Sequence, residues 1–174
     1  MLSMYWRIGV TLLLVTGNLA LALAQNATEL DRRNGFKTIR LASPIDSVKG
    51  ATMKKEFMEK DEFPARLYET ENPEYKSIGE VFVKEVKLMT YKNLIYRIIV
   101  TTDKDPRVMQ ALEKSFGKSV YVVRTNSYNW KAARLSLTFT ARKNNIELIY
   151  RSYPVFKMMY EDKGKKVDAI AEDF

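Results

Sequence analysis

EVFVKEVKLMTYKNLIYRIIVTT, residues 80 to 102, decides the fold. Residues 80–91 and 94–102 are rich in β-branched and aromatic side chains, and Lys92-Asn93 between them has the length of a two-residue hairpin turn. In the second run Leu94, Tyr96, Ile98 and Val100 alternate along one face, while Ile95 and Ile99 make the other face apolar too. A strand apolar on both sides belongs in the middle of a sheet that is covered on both sides. The hairpin therefore predicts an antiparallel sheet.

Downstream, Asp105-Pro106 places a capping carboxylate before a first-turn proline, and Val108, Met109, Leu112 and Phe116 recur at helical spacing. Gly117 supplies the left-handed stop. Gly117-Lys118-Ser119 is also the triplet that ends many phosphate-binding loops. Such a loop has an earlier glycine and lies between a strand and a following helix. Here Leu112 holds that glycine's position and the helix comes first, so the triplet reads as a helix end and not a nucleotide site.

A second hairpin follows. In residues 132–142 Leu135, Leu137 and Phe139 alternate with Arg134, Ser136, Thr138, Thr140 and Arg142. Lys143-Asn144-Asn145 turns the chain, and residues 146–153 return with Ile146, Leu148 and Tyr150 on one face and Glu147 and Arg151 on the other. Upstream, residues 35–41 read as a short extended segment, and Ser43-Pro44 as the start of a helical turn that Gly50 stops. Residues 51–63, with Met53, Phe57 and Met58 at helical spacing, read as a helix, and residues 65–69 as a short strand. At the C-terminus Met158 and Met159 pack back on the domain, Asp162 to Lys166 reads as a loop and Val167 to Phe174 as a short, weak segment. These elements predict a two-layer α+β domain, an antiparallel sheet of about five to seven strands with helices on one face.

The first 24 residues differ from the rest. Arg7 is followed by 17 uncharged residues, Ile8 to Ala24, ending in the small-x-small pattern Ala22-Leu23-Ala24. This is the pattern of a cleaved signal peptide, with an uncleaved membrane anchor as the alternative. The expected organisation is a signal peptide over 1–24, a flexible leader over 25–34, one α+β domain over 35–160 and a weakly ordered tail over 161–174. The destination is the periplasm or the exterior, with no stable membrane span once the leader is removed. Beyond residue 24 the chain holds 28 basic and 21 acidic residues, which favours an anionic partner.

There is no cysteine and no histidine. Ser-His-Asp and Cys-His catalysis and thiolate-imidazole zinc sites cannot be assembled without them. What remains for an enzyme is a carboxylate pair, and the acidic groups at Glu69, Glu71 and Glu74, at Asp103 with Asp105, and at Glu172 with Asp173 lack the spacing of a calcium loop. No catalytic residue, metal or cofactor is assigned. Two features are candidates for binding, each beside a structural reading: Trp130 as an anchor of its loop onto the hydrophobic layer, and the basic residues as a solvated strand face that discourages edge pairing. Tyr128 and Trp130, beside Lys131, have the chemistry to stack on a ring and hold an anion. Arg134, Arg142, Lys143 and Arg151 form a basic outer face on the last hairpin. No RNA-recognition, helix-turn-helix or zinc-finger signature accompanies them, so no specific nucleic acid is expected.

Three stretches occur together: residues 34–50, residues 88–100, and a helix ending Phe116-Gly117-Lys118 followed by the strand pair containing Trp130. In this the chain resembles a loose group of small exported bacterial domains of unknown function over about residues 34 to 153. It departs from that group at Ala42-Ser43, where the group tends to have glycine. The resemblance implies an exported α+β domain and transfers no catalytic residue. The expected function is therefore a non-catalytic binding module meeting an envelope or extracellular partner. A carboxylate hydrolase of envelope polymers and a basic-face polyanion binder are the alternatives.

Overall fold

A computed structural model describes residues 28–172 of the 174-residue chain. Residues 28–33 are helical (α1) and lead into a small hairpin of β1 (Gly35–Phe36) and β2 (Ile39–Arg40). After a 3-10 turn at Ile45–Ser47 come β3 (Ala51–Glu59), β4 (Phe63–Thr70), β5 (Ser77–Ile78), β6 (Val81–Tyr91) and β7 (Leu94–Asp103). Helix α2 (Pro106–Phe116) precedes β8 (Val120–Val122), β9 (Ser127–Lys131), β10 (Leu135–Ala141) and β11 (Asn145–Ser152), and α3 (Tyr153–Ala171) closes the chain. The main sheet is antiparallel with nine strands, ordered β3-β4-β6-β7-β11-β10-β9-β8, with β5 paired to β6.

The central hairpin forms where the sequence placed it. Lys92 and Asn93 both adopt left-handed backbone (φ 48° and 68°), the conformation a tight two-residue turn requires. Alternation in β7 is interrupted, however. The ladder with β6 shifts between Met89 and Thr90, so Ile95 joins Ile98 and Val100 on one face while Tyr96 packs in the cluster on the other. A bulge of this kind re-aims a side chain without breaking the sheet.

The two faces are buried by different elements. On the first, Leu88, Ile98, Val100, Leu148 and Leu137 lie under Leu30 of α1, Phe36 and Ile39 of the small hairpin, and Val108, Leu112 and Phe116 of α2. On the second, Val155 and Met159 of α3 pack on Phe63, Ala65, Tyr91 and Tyr96. The sheet is thus longer than the expected five to seven strands and carries helices on both faces, which corrects the two-layer expectation. Part of the difference is β3, which pairs with the strand expected at residues 65–69, here β4 (Phe63–Thr70), and part is the short β5.

Residues 51–59, read from sequence as helix, are the edge strand β3, joined to β4 through left-handed Lys60 and Asp61. Met53 and Met58 are half exposed, so their helical spacing does not mark a buried face. An edge strand with one neighbour needs few apolar residues, and Lys54 and Lys55 beside a bulge discourage further pairing. The helical turn expected after Pro44 shrinks to the three-residue 3-10 turn. At the other end, Asp162 to Lys166 continues α3 and does not form a loop.

Residues 28–34, assigned from sequence to a flexible leader, are part of the fold. Leu30 is buried in the core, and both carboxylate oxygens of Asp31 accept backbone N–H bonds from Ala133 and Arg134 at 2.9 Å. The signal peptide read over 1–24 lies outside the described residues. Among the described residues no helix is long and apolar enough to cross a membrane.

Candidate ligand groove

Helix α3 covers only part of the second sheet face. The uncovered part, over β8 to β11, forms a groove of about 690 Å³, within the range of small-molecule sites. Strand register lays out its floor in transverse rows. One row runs Val120, Asn129, Thr138, Ile149 and on to Ile99. The next runs Val122 opposite Ser127, then Thr140, Glu147 and Thr101.

On the other side of the central row lies a cationic one. Lys131 is opposite Ser136, Ser136 opposite Arg151, and Arg151 opposite Arg97. Lys118 stands just before β8 and lines the same groove. The row has two kinds of cation. Arg97 lies under α3, bonded to Glu59 at 2.9 Å and placed near the rings of Tyr96 and Phe156. Glu59 also accepts the Tyr96 hydroxyl at 2.9 Å, and burial pushes that hydroxyl's pKa well up. Lys118, Lys131 and Arg151 have no carboxylate within ion-pair distance among the described residues. Partial desolvation, and then the positive charge of Arg97, hold the Arg151 pKa below its ordinary value. An anion placed there relieves that repulsion.

Four polar residues of the floor bond to one another. Thr138 Oγ1 donates to Asn129 Oδ1 at 2.7 Å, Asn129 Nδ2 donates to Ser127 Oγ at 3.2 Å, and Ser127 and Thr125 share a hydroxyl bond at 2.7 Å. At the far end Arg142 pairs with Glu147, the one carboxylate in the lining, at 3.4 Å.

Of the residues singled out in the sequence, Lys131, Arg142 and Arg151 meet in this groove. Trp130 reaches its lining only from the core: it is buried, and its indole N–H donates to the Gly117 carbonyl at 2.7 Å. Tyr128 is on the opposite sheet face, packed between Tyr121 and Phe139. The pair is not brought together as a stacking platform. Arg134 turns away to the Asp31 carbonyl at 2.8 Å, and Lys143 is exposed at the β10–β11 turn. Lys118 is the groove cation that sequence reasoning passed over. Its signal was the Gly117-Lys118-Ser119 triplet, weighed there only as a nucleotide loop.

A second concavity, between β4 and α3, is less suited to an anion because its charges other than Lys166 are paired within the chain. Lys92 pairs with Asp162 at 2.6 Å, the Tyr91 hydroxyl donates to Asp162 at 2.9 Å, and Arg66 pairs with Glu56 at 2.9 Å. The acidic residues noted in the sequence are dispersed. Glu69 faces Lys54, Asp103 faces Lys84, and Asp105 caps α2 while binding Arg107. Among the described residues no three acidic side chains gather where a metal ion would sit.

Comparison with protein-family models, with curated proteins and with solved structures returns no match for this chain. The likeness to small exported domains rests on the sequence motifs alone.

Proposed function

We propose that the chain is an exported, non-catalytic binding module, that the groove over β8 to β11 is its site, and that its partner, in the cell envelope or outside the cell, is anionic. One observation carries this reading. Among the described residues Lys118, Lys131 and Arg151 line one groove with no carboxylate at ion-pair distance, while Arg97 in the same sheet row has Glu59. Cations that line one groove favour an anion from outside. The dispersal of the acidic side chains into separate ion pairs supports binding over hydrolysis, since a glycosidase-type site requires two carboxylates across one cleft. The apolar run Ile8 to Ala24 supports export.

Retention on a sulfated polyanion matrix tests the site. The protein is expected to elute at a higher salt concentration than the K131E/R151E variant, and retention is expected to fall steeply with salt. Equal elution of the two proteins would remove the groove as the anion site. N-terminal mass analysis of the exported protein tests the compartment, the expected first residue being Gln25.

A further inference from the structure

Resting on the reading of the groove as an anion site, we infer that its ligand is a single-chain acidic amphiphile. The acid head would be held by Lys118, Lys131 and Arg151, and the aliphatic body would lie along the neighbouring floor row. The groove has two chemically distinct halves side by side. The cations occupy one row; the adjacent row carries Val120, Asn129, Thr138 and Ile149, with Val122 beyond it. Polar groups in that floor bond to one another, Thr138 to Asn129 and Asn129 to Ser127. An apolar body laid over this row leaves those bonds in place, whereas a sugar would have to compete with them; Thr140, which makes no side-chain hydrogen bond among the described residues, lies in the next row toward Arg142. From β8 to β11 the floor is three strand spacings wide, about 14 Å. That length suits an extended medium-chain tail.

Charge complementarity points the same way. Glu147, the one carboxylate in the lining, is engaged by Arg142 at the end away from the cationic row. Val120 at the edge is 67% exposed, apolar surface that a bound chain would partly cover.

Calorimetric titration of the purified protein with decanoate, kept below its micelle concentration, tests the inference. Saturable binding at one site is expected, with decanol and butyrate each at least tenfold weaker, because each lacks one half of the recognition. K131A/R151A and, separately, K118E are expected to weaken decanoate at least tenfold, and V120E to weaken it by blocking the floor. K143E, a change at the exposed turn, is expected to bind normally, and thermal melts confirm that each variant is folded. Decanol binding as tightly as decanoate, or decanoate binding unchanged in K118E and K131A/R151A, would overturn the inference. So would binding to intact anionic vesicles with none to monomeric decanoate. If decanoate fails while heparin binds and loses affinity in K131E/R151E, the amphiphile falls and the anion site stands. If both ligands fail, both fall.

Discussion

The indole N–H of Trp130 donates to the carbonyl of Gly117 at 2.7 Å, tying the middle of β9 to the residue where α2 ends. Gly117 has φ 76°, and the chain leaves the helix there toward Lys118 and the groove. Trp130→Phe keeps most of the buried ring and removes the donor. It is expected to cost about 1–2 kcal/mol in denaturant unfolding, with a larger loss in groove affinity than K143E, because Lys118 is no longer held at the rim. Unchanged stability would show that the bond is replaced by solvent.

Asp31→Ala removes two backbone bonds at once, those to the N–H groups of Ala133 and Arg134. Charge-assisted bonds of this type contribute about 1.5–3 kcal/mol each at most, and exposure at this site lowers that figure. The expected result is faster amide exchange at residues 133 and 134 and loosening of α1, while exchange in α3 stays as it was.

The pair Arg97–Glu59 is mostly covered, with side-chain exposures of 17% and 11%. Removing one member strands the other: Arg97→Ala is expected to destabilise by about 3 kcal/mol. Arg66→Ala breaks a pair of similar length, but both of its members are solvent-exposed, and a change below about 1 kcal/mol is expected. Urea unfolding of the two variants side by side checks the contrast.

Gly35→Ala is expected to be severe. Gly35 has φ 147°, and a methyl group added there would lie 2.2 Å from the Ile39 carbonyl oxygen across the β1–β2 hairpin. A loss of about 2 kcal/mol or more is expected, from backbone strain together with displacement of Phe36 and Ile39 from the core. A melting temperature equal to wild type would contradict the tight approach.

Acid should loosen α1 before the sheet. Hydrogen bonds from Arg32 and then Arg33 hold Glu29 down to about 2 from 4.5. A carboxyl with a lowered native pKa stabilises the fold fully above its unfolded value, and that contribution fades as pH falls toward the native one. Between pH about 4.5 and 2 the helical pairing of Glu29 is therefore expected to weaken progressively. Asp162, lowered by Lys92 and then Tyr91, follows the same sign and releases part of α3 as it protonates. Amide exchange at residues 29–33 across this range checks the order.

Local signals were the legible part of the fold. The β6–β7 hairpin, the Asp105 cap, the Gly117 stop and the β10–β11 alternation are each written within a few neighbouring residues. What escaped is set by partners far along the chain. β3 has few apolar residues because an edge strand has one neighbour, so its Met53 and Met58 imitated a helix period. α1 is fixed by one buried leucine and one carboxylate whose bonding partners are about a hundred positions away. Arg142 and Arg151 were legible as part of a basic face and Lys131 as a neighbour of Trp130, but their meeting with Lys118 depends on the register of β8 on β9 and of β9 on β10, which no local pattern states.

The sheet row from Lys131 to Arg97 holds the same charge beneath the helix and beyond it, and only the source of the counter-ion differs. Under α3 the chain supplies it from its own edge strand, and the arginine becomes scaffold. Past the helix no carboxylate among the described residues pairs with Lys131 or Arg151, so the end of one helix separates arginine used as scaffold from cations left facing solvent.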